Sequence, residues 1–493
     1  MTEPIAPAPG VAARADVVVV GAGAAGLYAA LTAARAGADV LLISATPLAE
    51  TASYWAQGGL AAALAIDDSP ELHLQDTMTA GRDLVRRSAA QVLVDEAPAA
   101  VADLEQLGVR FDADRNGNLS LGLEGGHSRR RVVHAGGSTT GRRVVRQLSA
   151  LVVQDPRIEV WERTRAATLW TDPEDGRCLG VVCENGRAAT ARATILSTGG
   201  TAALWSRTTN PPGSVGIGLM LALHAGAKLA DLELVQFHPT AVTGVPGREG
   251  FLVTEAIRGE GATLHGPDGE RFVEELAPRD EVARAIDRLL TETGADHVGL
   301  DMRAVDPNRF PNVVRALRDA GLDPARELIP VSPASHYCMG GVEADLHGRS
   351  TVPGLLVVGE SACTGLHGAN RLASNSLSEC FVLGGRAARA GLDEPFRAAP
   401  AGPTPAAAAV SIPDRETREA LWRDAGLVRT AEGLTRLLDA PHPLVRLIAS
   451  NALLRTETRG AHCRADFPER DPALDHRHAV VGADGLPAFA LWS

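Results

Sequence analysis

The sequence predicts an α/β chain: a parallel sheet assembled from both sides of a long α+β insertion, followed by a helical C-terminal unit. Three observations predict it. Residues 16–20 read Asp-Val-Val-Val-Val, the continuous β-branched run of a strand buried on both faces. Two further apolar runs, Ala193 to Leu196 and Leu355 to Val358, end in Ser197-Thr198-Gly199-Gly200 and Gly359-Glu360 on either side of the insertion. Beyond Arg415, Leu421, Trp422, Leu427, Leu434, Leu437 and Leu438 recur at helical intervals as far as Leu454.

Taken along the chain, residues 1–14 form a disordered lead-in, with no apolar core of the kind a signal peptide needs. A helix from about Ala24 to Ala36 follows the first strand; Gly37 stops it, and Val40 to Ile43 is the next strand, completing a βαβ unit. The insertion, 237–337, mixes short strands with an arginine- and acid-rich helix near Arg279 to Leu290. A Pro/Ala-rich linker spans 394–413, the helical unit 414–470 and a tail 471–493. The expected organisation is therefore a discontinuous Rossmann-like domain (15–236 and 338–393), an inserted α+β capping domain and a C-terminal helical domain.

At 493 residues the chain exceeds one core. Sixty acidic against 48 basic residues leave a formal charge of −12, and Lys228 is the only lysine. A lysine-dependent phosphate loop is excluded, Lys228 has no motif for Schiff-base chemistry, and the acidic balance argues against nucleic acid as a partner. The six cysteines contain no CxxC pair, so neither zinc nor a disulfide framework is expected and a reducing cytoplasm suits the chain. The uncharged stretch Val17 to Ala34 reads as buried strand, turn and helix and not as a membrane span.

Chemistry enters at Gly21-Ala22-Gly23-Ala24-Ala25-Gly26, between the first strand and its helix. The glycines permit a tight turn and close backbone approach, and the helix start attracts a pyrophosphate. NAD and FAD are not separated by this pattern. Ser44 stands at the end of the second strand, where an acid is usual.

Five later stretches resemble the succinate dehydrogenase/fumarate reductase flavoprotein family: Gln236-Phe237-His238-Pro239-Thr240, Thr254 to Gly261, Ala277-Pro278-Arg279-Asp280, His336 to Gly341 and Gly365 to Leu377. Within it, the last run and Glu124-Gly125-Gly126-His127-Ser128 are similar to the L-aspartate oxidases. The resemblance implies FAD, contacted by Gly21 to Gly26, Ser44, Ser53, Gln57, Gly58, Gly59, Glu360, Asn375, Ser376 and Leu377. It implies Arg279 as the acid/base residue, with Glu255 and Arg258 relaying protons; their i, i+3 spacing puts both on one face of a helix. Arg371 would clamp one substrate carboxylate bidentately. Gln236, His238, Thr254 and His336 would serve the other, and Glu124 would recognise the amino group of L-aspartate. Because arginine stays protonated, it suits the acid of fumarate reduction. In amine oxidation the substrate amine would shed its proton on binding while Arg279 fixes charge and geometry.

The implied reaction is oxidation of L-aspartate to iminoaspartate, with fumarate or O2 as acceptor and product passed to quinolinate synthase, the opening of de novo NAD synthesis. Ala52 stands five residues before Gln57, where the dehydrogenase branch carries its flavin-linking histidine, so the FAD should be non-covalent. Two departures stand out. Ile217 replaces the aspartate of a Gly-Asp-Gly segment that contacts flavin, which predicts weaker binding or a rearranged loop, and the helical unit is short around Pro441 and Pro443. The alternatives left open are a soluble fumarate reductase, another amino-dicarboxylate oxidase, or a catalytically impaired flavin-binding relative.

Overall fold

The computed structural model describes residues 12–400, 404–409 and 411–492. Its central sheet is wholly parallel, in the order Leu355–Val357, Ala193–Leu196, Val17–Val20, Val40–Ile43 and Ile158–Trp161. The three innermost strands are buried along their whole length, which explains their unbroken apolar sequences. Strands from either side of the insertion lie edge to edge, with Ala193–Leu196 pairing Val17–Val20 on one side and Leu355–Val357 on the other.

Helix Ala24–Arg35 covers one face of this sheet beside helix Asn375–Leu392, where the rings of Tyr28 and Phe381 meet edge-on at 5.4 Å. Helix Ile217–His224 and the C-terminal helices pack into the apolar cluster on the other face. Because all strands run the same way, Gly21, Ser197 and Gly359 collect at the carboxyl edge, where ligands of such sheets sit.

The insertion carries an antiparallel sheet in the order Val235–Val242, Ile329–Cys338, Val298–Asp301 and Thr263–His265. The two longest strands run across the boundaries expected at 237 and 337, so continuous backbone ties the insertion to the larger sheet. Helix Arg279–Thr293 packs Val282 and Ile286 into the insertion's own core and stops at Gly294, φ +68°.

Two expectations at the ends need correction. Most of the lead-in over 1–14 lies outside the described residues, but Ala13 and Arg14 form a short strand beside Ala189 and Thr190. The tail over 471–493 is not a loose end. Arg477–Val481 and Ala488–Leu491 make a hairpin that completes a separate five-stranded sheet, in the order Ala362–Cys363, Gly341–Glu343, Leu229–Ala230, Arg477–Val481 and Ala488–Leu491. The cause is a buried acid: Asp231 needs partners, and His478 Nδ1 supplies one at 2.5 Å while Trp492 stacks on the imidazole at 4.2 Å.

The short helical unit consists of Arg415–Asp424, Ala431–Leu437 and Pro443–Leu454. Pro443 opens the last helix, where a missing N–H costs nothing. The segment after it is anchored by fully buried ion pairs: Arg455 Nε to Glu233 Oε1 at 2.7 Å and Arg459 Nε to Glu457 Oε1 at 2.7 Å. Lys228 is exposed. Among the described residues, no helix is long and apolar enough to cross a membrane.

Candidate active site

The cofactor cradle lies at the carboxyl edge of the parallel sheet. Gly21 has φ +111°, and a Cβ there would meet Ser197 O at 2.3 Å; one on Gly26 would meet Gly21 O at 1.9 Å. Only glycine permits this closeness. Gly23 caps helix Ala24–Arg35 without a side chain, and the helix has no acid in its first turn, which leaves the dipole open to an anion. Ser53 Oγ accepts from Ala24 N at 3.1 Å, bringing the 53–59 segment over the turn. Gln57 Nε2 donates to Leu252 O, while the buried Gln57 Oε1 has no partner. Half-buried Glu360 accepts from Cys338 N at 3.0 Å, and loss of solvation pushes its carboxyl up to about 7. The orphaned Gln57 Oε1, a side-chain-free helix start and a glycine turn fit a dinucleotide such as FAD.

Two expected flavin contacts, Ser44 and Asn375, have side chains that bond within the protein, and Ile217 packs inward. Ser44 is buried and donates to Thr46 O at 2.6 Å. The side chain of Asn375 is committed elsewhere: Oδ1 meets His73 Nε2 at 2.8 Å and Nδ2 donates to Thr77 Oγ1 at 3.1 Å. The apolar Ile217 opens helix Ile217–His224 behind the left-handed Gly216 and packs against the core of that face. Ser376 Oγ, by contrast, accepts from Arg371 and links the substrate side to the helix start.

The substrate side forms where the insertion meets the parallel sheet. Strand alternation puts Gln236 and His238 on one face of Val235–Val242. His336 comes from the paired strand, with its ring 5.0 Å from that of His238. Thr240 N donates to His238 Nδ1 at 3.2 Å, so the proton sits on Nε2, which is buried and has no partner. Burial first, then neighbouring arginines, hold both imidazoles well below their usual range, which favours their neutral form. His336 Nδ1 meets Thr209 Oγ1 at 2.8 Å, and Thr254 caps the short helix Glu255–Gly259 without spending its hydroxyl on the cap.

Gln236 Oε1 is the meeting point of the two arginines. It accepts from Arg279 Nη1 at 3.0 Å and from Arg371 Nη2 and Nε at 3.0 and 3.3 Å. The other edge of Arg279 donates from Nε to Glu255 Oε2 at 2.5 Å, and Arg258 Nη2 lies 3.7 Å from that same oxygen. Burial opposes ionisation of Glu255, but Arg279 and Arg258 outweigh it and keep the carboxyl low. Burial, then Arg279, lower Arg371 to about 10.

Glu124 is the second buried carboxylate. Its Oε2 accepts from Ser374 Oγ at 2.7 Å, while Oε1 stands 3.5 Å from His134 Nε2 with no hydrogen bond of its own. Burial pushes this carboxyl up, but His134, Arg279 and Ser374 prevail and hold it at about 2.

The matches to known proteins cover nearly all of this architecture. An FAD binding domain family matches residues 16–377, and a fumarate reductase flavoprotein C-terminal family matches 438–488. A protein named L-aspartate oxidase from Agrobacterium fabrum is 46% identical over 92% of this chain and 91% of its own length. The chain belongs to the L-aspartate oxidase branch of the succinate dehydrogenase/fumarate reductase flavoprotein family. FAD is its cofactor. Another L-aspartate oxidase, from Streptomyces coelicolor, is 42% identical over 97% of the chain and 93% of its own length. Among solved structures, E. coli quinol fumarate reductase superposes with a TM-score of 0.85 at 27% identity, covering 97% of this chain and 96% of the other. One scaffold thus carries both proteins named L-aspartate oxidase and a quinol fumarate reductase.

Several residues to which the motifs assigned no role support the site. Ser374 takes a left-handed conformation, φ +61°, and its hydroxyl accepts from Gly59 N at 3.1 Å while donating to Glu124. The guanidinium of Arg371 lies 4.3 Å over the ring of Tyr337. Tyr337 Oη in turn donates to Glu379 Oε2 at 3.1 Å, and the same oxygen meets His367 Nε2 at 2.9 Å. Tyr337 and His367 sit within the quoted motifs, yet only the paired strands show what they touch.

Proposed function

We infer that this chain binds FAD non-covalently and oxidises L-aspartate to iminoaspartate. The observation that carries this reading is Glu124, whose Oε1 has no hydrogen bond, a buried carboxylate additional to the arginine-paired Glu255. A site for succinate or fumarate needs only cations and donors. The unpartnered Oε1 of Glu124 is an additional buried acceptor that the ammonium group of an amino acid would fill and that succinate would leave empty.

In this reading the substrate carboxylates bind beside Gln236, on the N–H groups of Arg371 and Arg279 that Gln236 Oε1 does not use, and reach the free Nε2 of His238. Thr254 and His336 supply neutral donors. Glu124 holds the amino group, and Ser374 holds Glu124. Arg279, held between Glu255 and Gln236, fixes the substrate, which enters as the ammonium facing Glu124 and releases one ammonium proton to bulk water before the hydride leaves Cα. Glu255 and Arg258 return a proton to Arg279 when the reaction runs toward fumarate reduction. Bound FAD supplies the two-electron acceptance that removes the Cα hydride. Electrons leave to O2 or fumarate, the product passes to quinolinate synthase in NAD synthesis, and the enzyme works in the cytoplasm.

The test is anaerobic mixing of the yellow holoenzyme with L-aspartate, D-aspartate or succinate while flavin absorbance is followed. L-aspartate alone should bleach the flavin rapidly. Bleaching by succinate with L-aspartate inert would assign the site to the fumarate reductase alternative. Because Ala52 stands where a flavin-linking histidine would be, acid precipitation should leave all FAD in the supernatant; a yellow pellet contradicts non-covalent binding.

A further inference from the structure

Gln236 can steady both arginines only if its oxygen, and not its nitrogen, faces them. Gln236 Nε2 donates to the backbone Arg371 O at 2.8 Å and to Asn370 Oδ1 at 2.8 Å. The carbonyl is a fixed acceptor, but an asparagine amide presents either end. What settles the direction of Asn370 is its other contact: Nδ2 donates to Asp280 Oδ1 at 2.9 Å. A carboxylate only accepts, so Asp280 forces the nitrogen of Asn370 toward itself and the oxygen toward Gln236. All three side chains are buried, with no solvent to correct a wrong orientation. Asp280 is itself held from outside the relay: Arg284 Nη2 donates to Oδ2 at 3.0 Å, and Arg284 Nη1 donates to Gly460 O at 2.6 Å.

We propose that Asp280 and Asn370 are positioning residues that set the hydrogen-bond polarity of Gln236, and through it the placement of Arg279 and Arg371. Asp280 lies on the helix of the insertion and Asn370 on the loop of the parallel-sheet part, so the relay is completed only when the two parts are docked. The proposal rests on the dicarboxylate reading of the site.

The experiment titrates holoenzyme with malonate, a dicarboxylate with no Cα–N bond to oxidise, and reads the perturbation of the flavin spectrum. Asp280→Asn frees Asn370 to flip and places two donors face to face at Gln236 Nε2. Malonate should bind about tenfold more weakly, the loss of roughly one charge-assisted hydrogen bond. KM for L-aspartate should rise in step while the maximal bleaching rate moves less. The decisive variant is the exchange Asp280→Asn with Asn370→Asp. The carboxylate, moved to position 370, accepts from both neighbours, and Gln236 again meets an acceptor. Affinity should return to within about threefold of wild type, which a merely structural role would not restore. Arg284→Met cuts the outer anchor and keeps the polarity; it should lower the melting temperature and leave malonate affinity unchanged. Wild-type affinity in Asp280→Asn overturns the proposal. So does Arg284→Met weakening malonate as much as Asp280→Asn, because docking alone would then explain the effect. Failure of the wild-type holoenzyme to bind malonate strikes the dicarboxylate reading instead.

Discussion

Arg279→Leu holoenzyme should keep its flavin and lose about a thousandfold in the rate of bleaching by L-aspartate, in the range of a lost positioned acid/base group. Leucine removes the 3.0 Å donation to Gln236 and the 2.5 Å donation to Glu255 together. Glu255 would then keep only Gly125 N at 2.8 Å and the more distant Arg258. Its carboxyl, held low chiefly by Arg279 against the effect of burial, would move up toward neutrality and cease to pass protons as an anion. Binding should suffer less than rate, since Arg371 and His238 remain: malonate affinity should fall about tenfold. Stopped-flow bleaching separates the two quantities. A rate within tenfold of wild type would show that Arg279 is not the residue on which the chemistry turns.

What the sequence showed of this molecule, and what it hid, follow from the range of each interaction. The strands Val17–Val20 and Ala193–Leu196 were legible because a strand buried on both faces has no polar position to interrupt it. The glycine turn was legible because its requirement is local: Gly26 packs on Gly21 five residues back. The candidate residues stood out as motif members, and the i, i+3 reading of Glu255 and Arg258 matches the short helix that carries them. Their partners were not. Ser374 meets Glu124 across 250 positions and Asn370 meets Asp280 across 90, distances at which periodicity carries no information. The C-terminal hairpin was missed for the same reason, since the demand for His478 arises at Asp231, 247 residues away. Asn375 went the other way: its motif suggested cofactor, and its side chain serves His73 and Thr77.

Glu124→Gln should divide the activity of the site in two. The amide is isosteric, and Ser374 Oγ can still donate to its oxygen, so the loop should keep its place and the flavin its environment. What disappears is a negative charge that wild type carries at every working pH, because the carboxyl titrates at about 2. An ammonium group facing that carboxylate is a charge-assisted contact in a dry site, and removing one partner leaves the other buried and unpaired, at a cost of about 2–3 kcal/mol. kcat/KM for L-aspartate should therefore drop about a hundredfold. Fumarate carries no ammonium, and its reduction by a chemically reduced mediator should stay within a few-fold of wild type or rise. The selectivity between the two substrates, measured on one preparation, changes by the product of these effects. Equal losses with both would make Glu124 a support for the loop and move recognition of the amino group to another residue.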